Sequence, residues 1–359
     1  MKNIKKLIRK EVLGLKAYEV KDIPAKIRLD AKENPFPLPP EFKKSVLNEA
    51  EGILLNRYPD SKLHDLRKVI SSQLNVKEDE IMIGNGSDEL IQMIVTAFGG
   101  FPERFLYSVP TFSMYGIIAR AQGQQVIEIP LNENFDLDVE KIIAAVKKKR
   151  PRVIFISYPN NPTGNCFSED RILKIIKECR GGMHSAPTVV VVDEAYYNFS
   201  KKSFIPYLKK YKNLMILRSL SKIGLAGLRV GILIADKGIV SELNKVRLPY
   251  NLNSYSQVIA RFVLENRGPI DEQIDIIISE RERMMEEMKG ISGTRAYPSD
   301  SNFIFFKVKN AERVYKGLID RGILIRNVNG KGHLKDALQV TIGTPDENME
   351  FLKALRELV

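Results

Sequence analysis

Apolar positions along the middle of the chain follow two alternating rhythms. Short apolar runs, the length of a buried strand, alternate with stretches whose apolar residues recur every third or fourth position, the spacing of one helix face. The runs predict strands at Glu80–Gly84, Arg104–Ser108, Val126–Ile129, Arg152–Ser157, Thr188–Val192, Leu214–Leu217 and Val230–Ala235. The spaced stretches predict helices at Asp88–Phe98, Leu137–Lys149 and Glu169–Cys179. Strand and helix in alternation build an α/β domain around a mostly parallel sheet. Thr188–Val192 is nearly all valine, so it belongs at the sheet centre with both faces covered.

After Arg247-Leu248-Pro249-Tyr250 the rhythm changes. Long helical segments at Ser256–Glu265 and Asp271–Lys289 precede strands at Asn302–Lys307 and Leu338–Ile342, which read as a second, smaller α+β domain. The proline-rich stretch Asn34–Pro40 marks off an N-terminal arm. The expected division is an arm over 1–35, a large domain over 36–250, and a small C-terminal domain over 251–359 packed with part of the arm. No internal repeat is visible.

Composition narrows the class. A length of 359 residues suits two structural units, and 44% hydrophobic with 28% charged residues excludes disorder, collagen-like sequence and a disulfide scaffold. No apolar run approaches the ~20 residues of a membrane helix. The first ten positions mix apolar residues with lysine and arginine instead of forming a secretory core. A cytoplasmic protein without a membrane partner is expected. Cys166 and Cys179 form no CxxC pair, and His64, His184 and His333 are scattered, so no metal is expected.

The net charge of +12 raises the question of nucleic acid. Seven basic and two acidic residues in Met1–Lys21 account for much of that excess, and the aromatics do not interleave with the lysine clusters. A solvated basic surface, mildly attractive to acidic or phosphorylated small molecules, fits better.

Four segments carry candidate chemistry. Gly84-Asn85-Gly86-Ser87-Asp88-Glu89 joins a strand to a helix, so its amides and the Ser87 hydroxyl would face an anion at the positive helix end. It lacks the third glycine of a dinucleotide fingerprint and the lysine of a P-loop, so a plain helix start is the alternative. Ser157-Tyr158-Pro159-Asn160-Asn161-Pro162-Thr163-Gly164 ends a strand in a rigid turn, where α/β sheets place ligands, with Asn161 as an amide donor. Asp193-Glu194-Ala195-Tyr196 follows the valine strand, and a carboxylate there requires a cation, such as a protonated ring nitrogen. Ser219-Leu220-Ser221-Lys222 follows the next strand, with Arg229 seven positions on; a half-buried lysine loses its proton readily and becomes an imine-forming nucleophile. Taken singly, a surface lysine or an ordinary paired carboxylate is the commoner case.

In this order the segments resemble the fold-type-I enzymes of pyridoxal phosphate. The chain is similar to the class I/II aminotransferases, and within them to the histidinol-phosphate aminotransferase group, along nearly its whole length. Glu33-Asn34-Pro35, Asn56-Arg57-Tyr58-Pro59, Val109-Pro110-Thr111-Phe112-Ser113-Met114-Tyr115 and Ala226-Gly227-Leu228-Arg229 carry the rest of the likeness. The resemblance implies a large domain with a mostly parallel seven-stranded sheet plus a smaller C-terminal α+β domain. It implies the cofactor pyridoxal 5′-phosphate, tethered by Lys222, which would also move the substrate's proton. Asp193 would keep the ring nitrogen protonated, Asn161 and Tyr196 would hydrogen-bond the ring oxygen, and Phe112 would stack on the ring. Ser87, Asp88 (through backbone amides), Ser219, Ser221 and Arg229 would hold the phosphate, joined by Tyr58 from the neighbouring subunit of a homodimer with shared sites.

For the substrate, the resemblance points to Tyr18, Asn34, Asn161 and Arg326, with Tyr18 and Arg326 at its phosphate end. The expected partners are an amino donor and a 2-oxo acid: histidinol phosphate and 2-oxoglutarate would give imidazole acetol phosphate and glutamate. One position departs from the pattern. The arginine that binds the α-carboxylate in such enzymes is replaced by Gln339 in Leu338-Gln339-Val340-Thr341. A charge-assisted bond is worth about 1.5–3 kcal/mol, so glutamine alone would weaken binding roughly ten- to a hundredfold unless another cation fills the role. A loosened carboxylate also opens the alternatives of a phosphothreonine-decarboxylase-like enzyme or another amino-acid aminotransferase on the same scaffold.

Overall fold

The computed structural model describes residues 4–17, 23–100, 103–181 and 187–359. In chain order the strands are β1 (Ile27–Leu29), β2 (Ile81–Asn85), β3 (Arg104–Val109), β4 (Gln125–Pro130), β5 (Val153–Ser157) and β6 (Val189–Asp193). They continue as β7 (Leu214–Ser219), β8 (Val230–Ala235), β9 (Thr294–Ala296), β10 (Phe303–Val308), β11 (Ile323–Asn327) and β12 (Ala337–Thr341).

Seven of them form one sheet in the order β2-β8-β7-β6-β5-β3-β4. Every pair is parallel except those of β8, which runs antiparallel to β2 and β7. The valine strand β6 is the fourth of seven, and Val190, Val191 and Val192 are fully buried, as a strand roofed on both faces by helices must be. At the edge, β4 keeps the solvent-facing residues Gln125 and Glu128. The helices Gly86–Phe98, Val139–Lys149 and Glu169–Glu178 lie where the spacing predicts, within a residue or two at their ends.

The second sheet has the order β1-β11-β12-β10-β9. Its core strand β10 buries Phe303, Ile304, Phe305 and Phe306, and β1, from the N-terminal segment, adds a parallel edge to β11. Three of its strands have no counterpart among the predicted ones. β1 and β9 span three residues each, too short for a periodic signal, and the apolar run of β11 is equally short. The helix Ser254–Glu265 precedes strands β9 to β12 in sequence yet lies against the helices Pro40–Glu51 and His64–Leu74, with Phe42 stacked on Phe262 at 5.8 Å.

The large sheet brings four chemical segments to one edge. Register places Ser157 beside Asp193 and Asp193 beside Leu217, two residues short of the end of β7. Asn85, the last residue of β2, pairs with Val230, the first of β8. The second sheet reaches this edge through β12, where the Gln339 side chain donates from Nε2 to the Pro162 carbonyl at 2.9 Å. No helix among the described residues is long and apolar enough to cross a membrane.

Candidate active site

Asp193 ends the central strand and is buried. Its carboxylate accepts hydrogen bonds from the Tyr115 hydroxyl at 2.7 Å and the Ala195 amide at 3.1 Å, and no cation lies within ion-pair distance among the described residues. Burial therefore dominates and pushes its pKa up to about 6, despite those two donors. Tyr115 is held by stacking on Phe155 at 4.8 Å and by the edge of Phe112 at 5.5 Å. The sequence reading gave Tyr115 no role. No spacing marked it, since Phe112 lies before the helix that begins at Met114.

Glu194, the next residue, points the other way. Arg218 grips it from Nε at 3.1 Å and Nη2 at 2.9 Å, with Ser203 Oγ and the Phe204 amide completing its shell. Arg218 itself lies 3.5 Å over the Tyr197 ring. Alternation along an extended chain thus separates a carboxylate locked in a structural ion pair from one left open.

Lys222 sits in the turn Ser221–Ile223 after β7 and makes no hydrogen bond among the described residues. Burial lowers its pKa; Glu33, Asp88 and Asp193 resist that change, while Arg229 reinforces it. Its Nζ lies 5.8 Å from the centre of the buried Tyr196 ring. Asp193 is thus near enough for its charge to act on Lys222 at one end of the sheet. Among the described residues, Tyr196 OH and the Asn161 amide nitrogen donate no hydrogen bond, and Asn161 Oδ1 accepts a single long one, 3.4 Å, from Gln339.

Beside them is a tight polar cradle. Ser219 Oγ accepts from the Ser221 amide at 3.1 Å and lies 3.0 Å from Ser221 Oγ, which Arg229 Nη1 approaches at 3.4 Å. Arg229 Nη2 stands 3.4 Å from Asp88 Oδ2, while Asp88 Oδ1 is buried without a partner. The strand runs into the helix without an intervening loop, so Ser87 and Asp88 occupy the first helical turn and their amides line this pocket. Only glycine fits behind it: a Cβ on Gly231 would lie 2.4 Å from the Gly86 carbonyl carbon and 2.5 Å from the Ser87 nitrogen.

The remaining predicted residues are spread more widely. The Asn34 amide bridges to Gln273 Oε1 at 2.8 Å and the Ile223 carbonyl at 3.4 Å, bracing the lysine turn. Arg326 and Gln339 are direct cross-strand partners on β11 and β12. Tyr58 is 81% exposed, stacked on Tyr250 at 4.5 Å, and joins none of these groups. Tyr18 lies outside the described residues.

Residues 24–355 match the family model for aminotransferase class I and II. The chain belongs to this family. It is 41% identical over 357 residues to the histidinol-phosphate aminotransferase of Caldanaerobacter subterraneus subsp. tengcongensis, covering 99% of each chain. It is 43% identical to histidinol-phosphate aminotransferase 2 of Nitrosococcus oceani, covering 97% of this chain and 96% of that one. The solved histidinol-phosphate aminotransferase of Sinorhizobium meliloti, in complex with pyridoxal-5′-phosphate, shares the fold with a TM-score of 0.87 at 22% identity, over 98% of this chain and 97% of that one. The large-sheet order and the smaller second sheet are accordingly those of a fold-type-I transferase.

Class I and II aminotransferases work with pyridoxal 5′-phosphate, and the residues present suit it. A buried carboxylate without a cation matches a protonated ring nitrogen. A desolvated amine matches an aldehyde. The free donors of Asn161 and Tyr196 match the ring oxygen, and the serine–arginine cradle with its helix start matches a dianionic phosphate.

Proposed function

We propose that this aminotransferase moves the amino group of histidinol phosphate to 2-oxoglutarate, in histidine biosynthesis. Full-length identity of about 40% to proteins named histidinol-phosphate aminotransferase supports histidinol phosphate as the amino donor. The observation that carries the site reading is the buried, cation-free Asp193 within electrostatic reach of the desolvated Lys222.

Bound pyridoxal phosphate supplies a carbonyl for the incoming amine and a ring that accepts electrons from the substrate carbon. Lys222 Nζ, whose burial disfavours the charged ammonium, would tether the cofactor and then carry a proton to and from the substrate. Asp193 would hold a proton on the ring nitrogen, with Tyr115 fixing the carboxylate's direction. Asn161 and Tyr196 would donate to the ring oxygen and Phe112 would pack on the ring. Ser87, Asp88, Ser219, Ser221 and Arg229 would anchor the phosphate, so the remote group positions the reacting end.

Tyr58 supports a homodimer. Its exposed ring stacks on the exposed Tyr250, and Leu54, Leu55 and Leu248, close to these two in sequence, are exposed as well, which suits a second copy that would receive Tyr58 at its own phosphate cradle. The two sheets suit the arm over 1–35, the large unit over 36–250 and the small unit over 251–359, except that the helix Ser254–Glu265 packs on Pro40–Glu51 and His64–Leu74 of the large unit. The two unpaired cysteines, Cys166 and Cys179, suit a cytoplasmic setting.

The purified holoenzyme incubated with histidinol phosphate and 2-oxoglutarate is expected to form glutamate. Phosphothreonine supplied alone separates the decarboxylase alternative. Carbon dioxide from phosphothreonine, without glutamate from the first mixture, overturns the proposal.

A further inference from the structure

Gln339 removes a cation from the substrate-facing side of the small sheet. Directly opposed residues of antiparallel strands project to the same face, so Arg326, Gln339 and Phe305 share one row and Thr341 and Phe303 the next. This face looks onto the Asn161–Pro162 turn, which Gln339 touches. Gln339 spends its amide nitrogen there, leaving its buried Oε1 without a partner.

A second lysine lies on the same face. The Lys32 amide donates to Thr341 Oγ1 at 3.0 Å, and its carbonyl accepts from Asn302 Nδ2 at 3.0 Å, which fixes the backbone against the ends of β10 and β12. Its Nζ hangs 5.8 Å from the centre of the Phe303 ring, whose edge meets Tyr196 at 5.2 Å; Lys222 lies over that same Tyr196 ring. Lys32 has φ +57°, a conformation that glycine or asparagine adopts at less cost than a long side chain. Neither Lys32 nor Arg326 has a carboxylate at ion-pair distance among the described residues. Two half-buried cations without a salt-bridge partner, near a neutral amide, suit an anion.

We propose that Lys32 is a specificity-determining residue that binds the anionic end of the substrate together with Arg326, in the place where Gln339 supplies no charge. This rests on the aminotransferase reading of the site. The charged and titratable groups around Lys32 agree with it. Burial, Arg326 and Lys222 lower its pKa to about 7, with only Asp30 opposing, so the ammonium is costly until an anion arrives. In the free enzyme the receptor loses charge above about pH 7, and binding of a substrate anion draws the proton back.

The test compares Lys32→Met and Lys32→Arg holoenzymes with the parent. For Lys32→Met, KM for histidinol phosphate is expected to rise about ten- to a hundredfold with kcat changing by less than about threefold. Lys32→Arg should restore KM and remove its increase at alkaline pH, because arginine stays charged. Calorimetric binding of maleate, an unreactive dicarboxylate, should weaken in Lys32→Met and recover in Lys32→Arg. Maleate binding and KM both within about twofold of the parent in Lys32→Met would overturn the proposal. If the parent does not turn over histidinol phosphate, the substrate reading fails while the maleate titration and the glutamate half-reaction still decide the role of Lys32. An unchanged cofactor absorption band in each variant shows that the fold is retained.

Discussion

Replacing Asp193 with asparagine should make the apoprotein more stable while weakening its hold on the cofactor. The carboxylate keeps its proton up to about pH 6 in the folded chain, against an ordinary value of 3.8. Across that interval the folded state binds more protons than the unfolded one, so stability falls as pH rises from about 4 to about 6 and stays low above it. Each tenfold change in proton affinity is worth about 1.4 kcal/mol, so the ionised carboxylate costs the apoprotein about 3 kcal/mol at neutral pH. With about 2.1 cal/mol/K of unfolding entropy per residue over 359 residues, that cost corresponds to about 4 °C in Tm. Asparagine does not titrate and keeps both contacts: Oδ1 accepts from the Ala195 amide, while Nδ2 donates to the Tyr115 oxygen, whose proton turns to Ser157. Thermal scans of both apoproteins from pH 4 to 8 should therefore show Tm values that coincide at the acid end and separate by about 4 °C above pH 6. Reconstitution should show the reverse order, because the variant offers no charge to a ring cation. A Tm difference that is independent of pH, or an Asp193→Asn apoprotein less stable than the parent at pH 7, would refute the assignment of a buried, unpaired carboxylate.

Other substitutions probe separate parts of the site. Lys222→Ala should abolish covalent fixation of the cofactor by borohydride, read by the mass of the denatured chain; retained label would move the tether elsewhere. Gly231→Ala forces a methyl group to within 2.4 Å of the Gly86 backbone, and loss of one phosphate contact should weaken pyridoxal phosphate about ten- to a hundredfold, with unphosphorylated pyridoxal much less affected. Arg218→Met leaves Glu194 buried and unpaired and should cost about 3–5 kcal/mol in urea unfolding, without shifting the cofactor's absorption band. Tyr115→Phe removes a donor from ionised Asp193, raises its pKa further, and should move the acid limb of cofactor retention to higher pH.

The large sheet was legible because its signals are local. A valine run such as Val189–Val192 must be covered on both faces, and a helix such as Val139–Lys149 carries its own spacing, an Asp138 cap and basic residues in the last turn. The small sheet was only half legible. β1 is three residues long and exists because β11, almost three hundred positions later, offers it an edge. The same contrast divides the site residues. Asp193, Asn161, Lys222 and Arg229 each follow a strand or turn that announces itself, whereas Tyr115 acts through a hydrogen bond across 78 positions that no spacing reports.

Gln339 shows why chemistry at one position does not settle the charge of a site. Along the chain it reads as the loss of an arginine, and a carboxylate freed from its arginine opens loss of carbon dioxide as an alternative to loss of a proton. Across the sheet, Arg326 stands directly opposite Gln339, and Lys32 is pinned to Thr341, two residues further along the same face. Positive charge therefore stands on β11, at Arg326, and on the irregular segment after β1, at Lys32, close enough to Lys222 for the two lysines to repel each other. An anion held there is still constrained, so the bond presented for cleavage is set by two cations on different elements instead of one arginine fork. The family's transamination chemistry then needs no arginine at 339, and a Gln339→Arg substitution in an otherwise unchanged chain should crowd Lys32 and Arg326 and weaken substrate binding. A lower KM for histidinol phosphate in that variant would show that the receptor was short of charge after all.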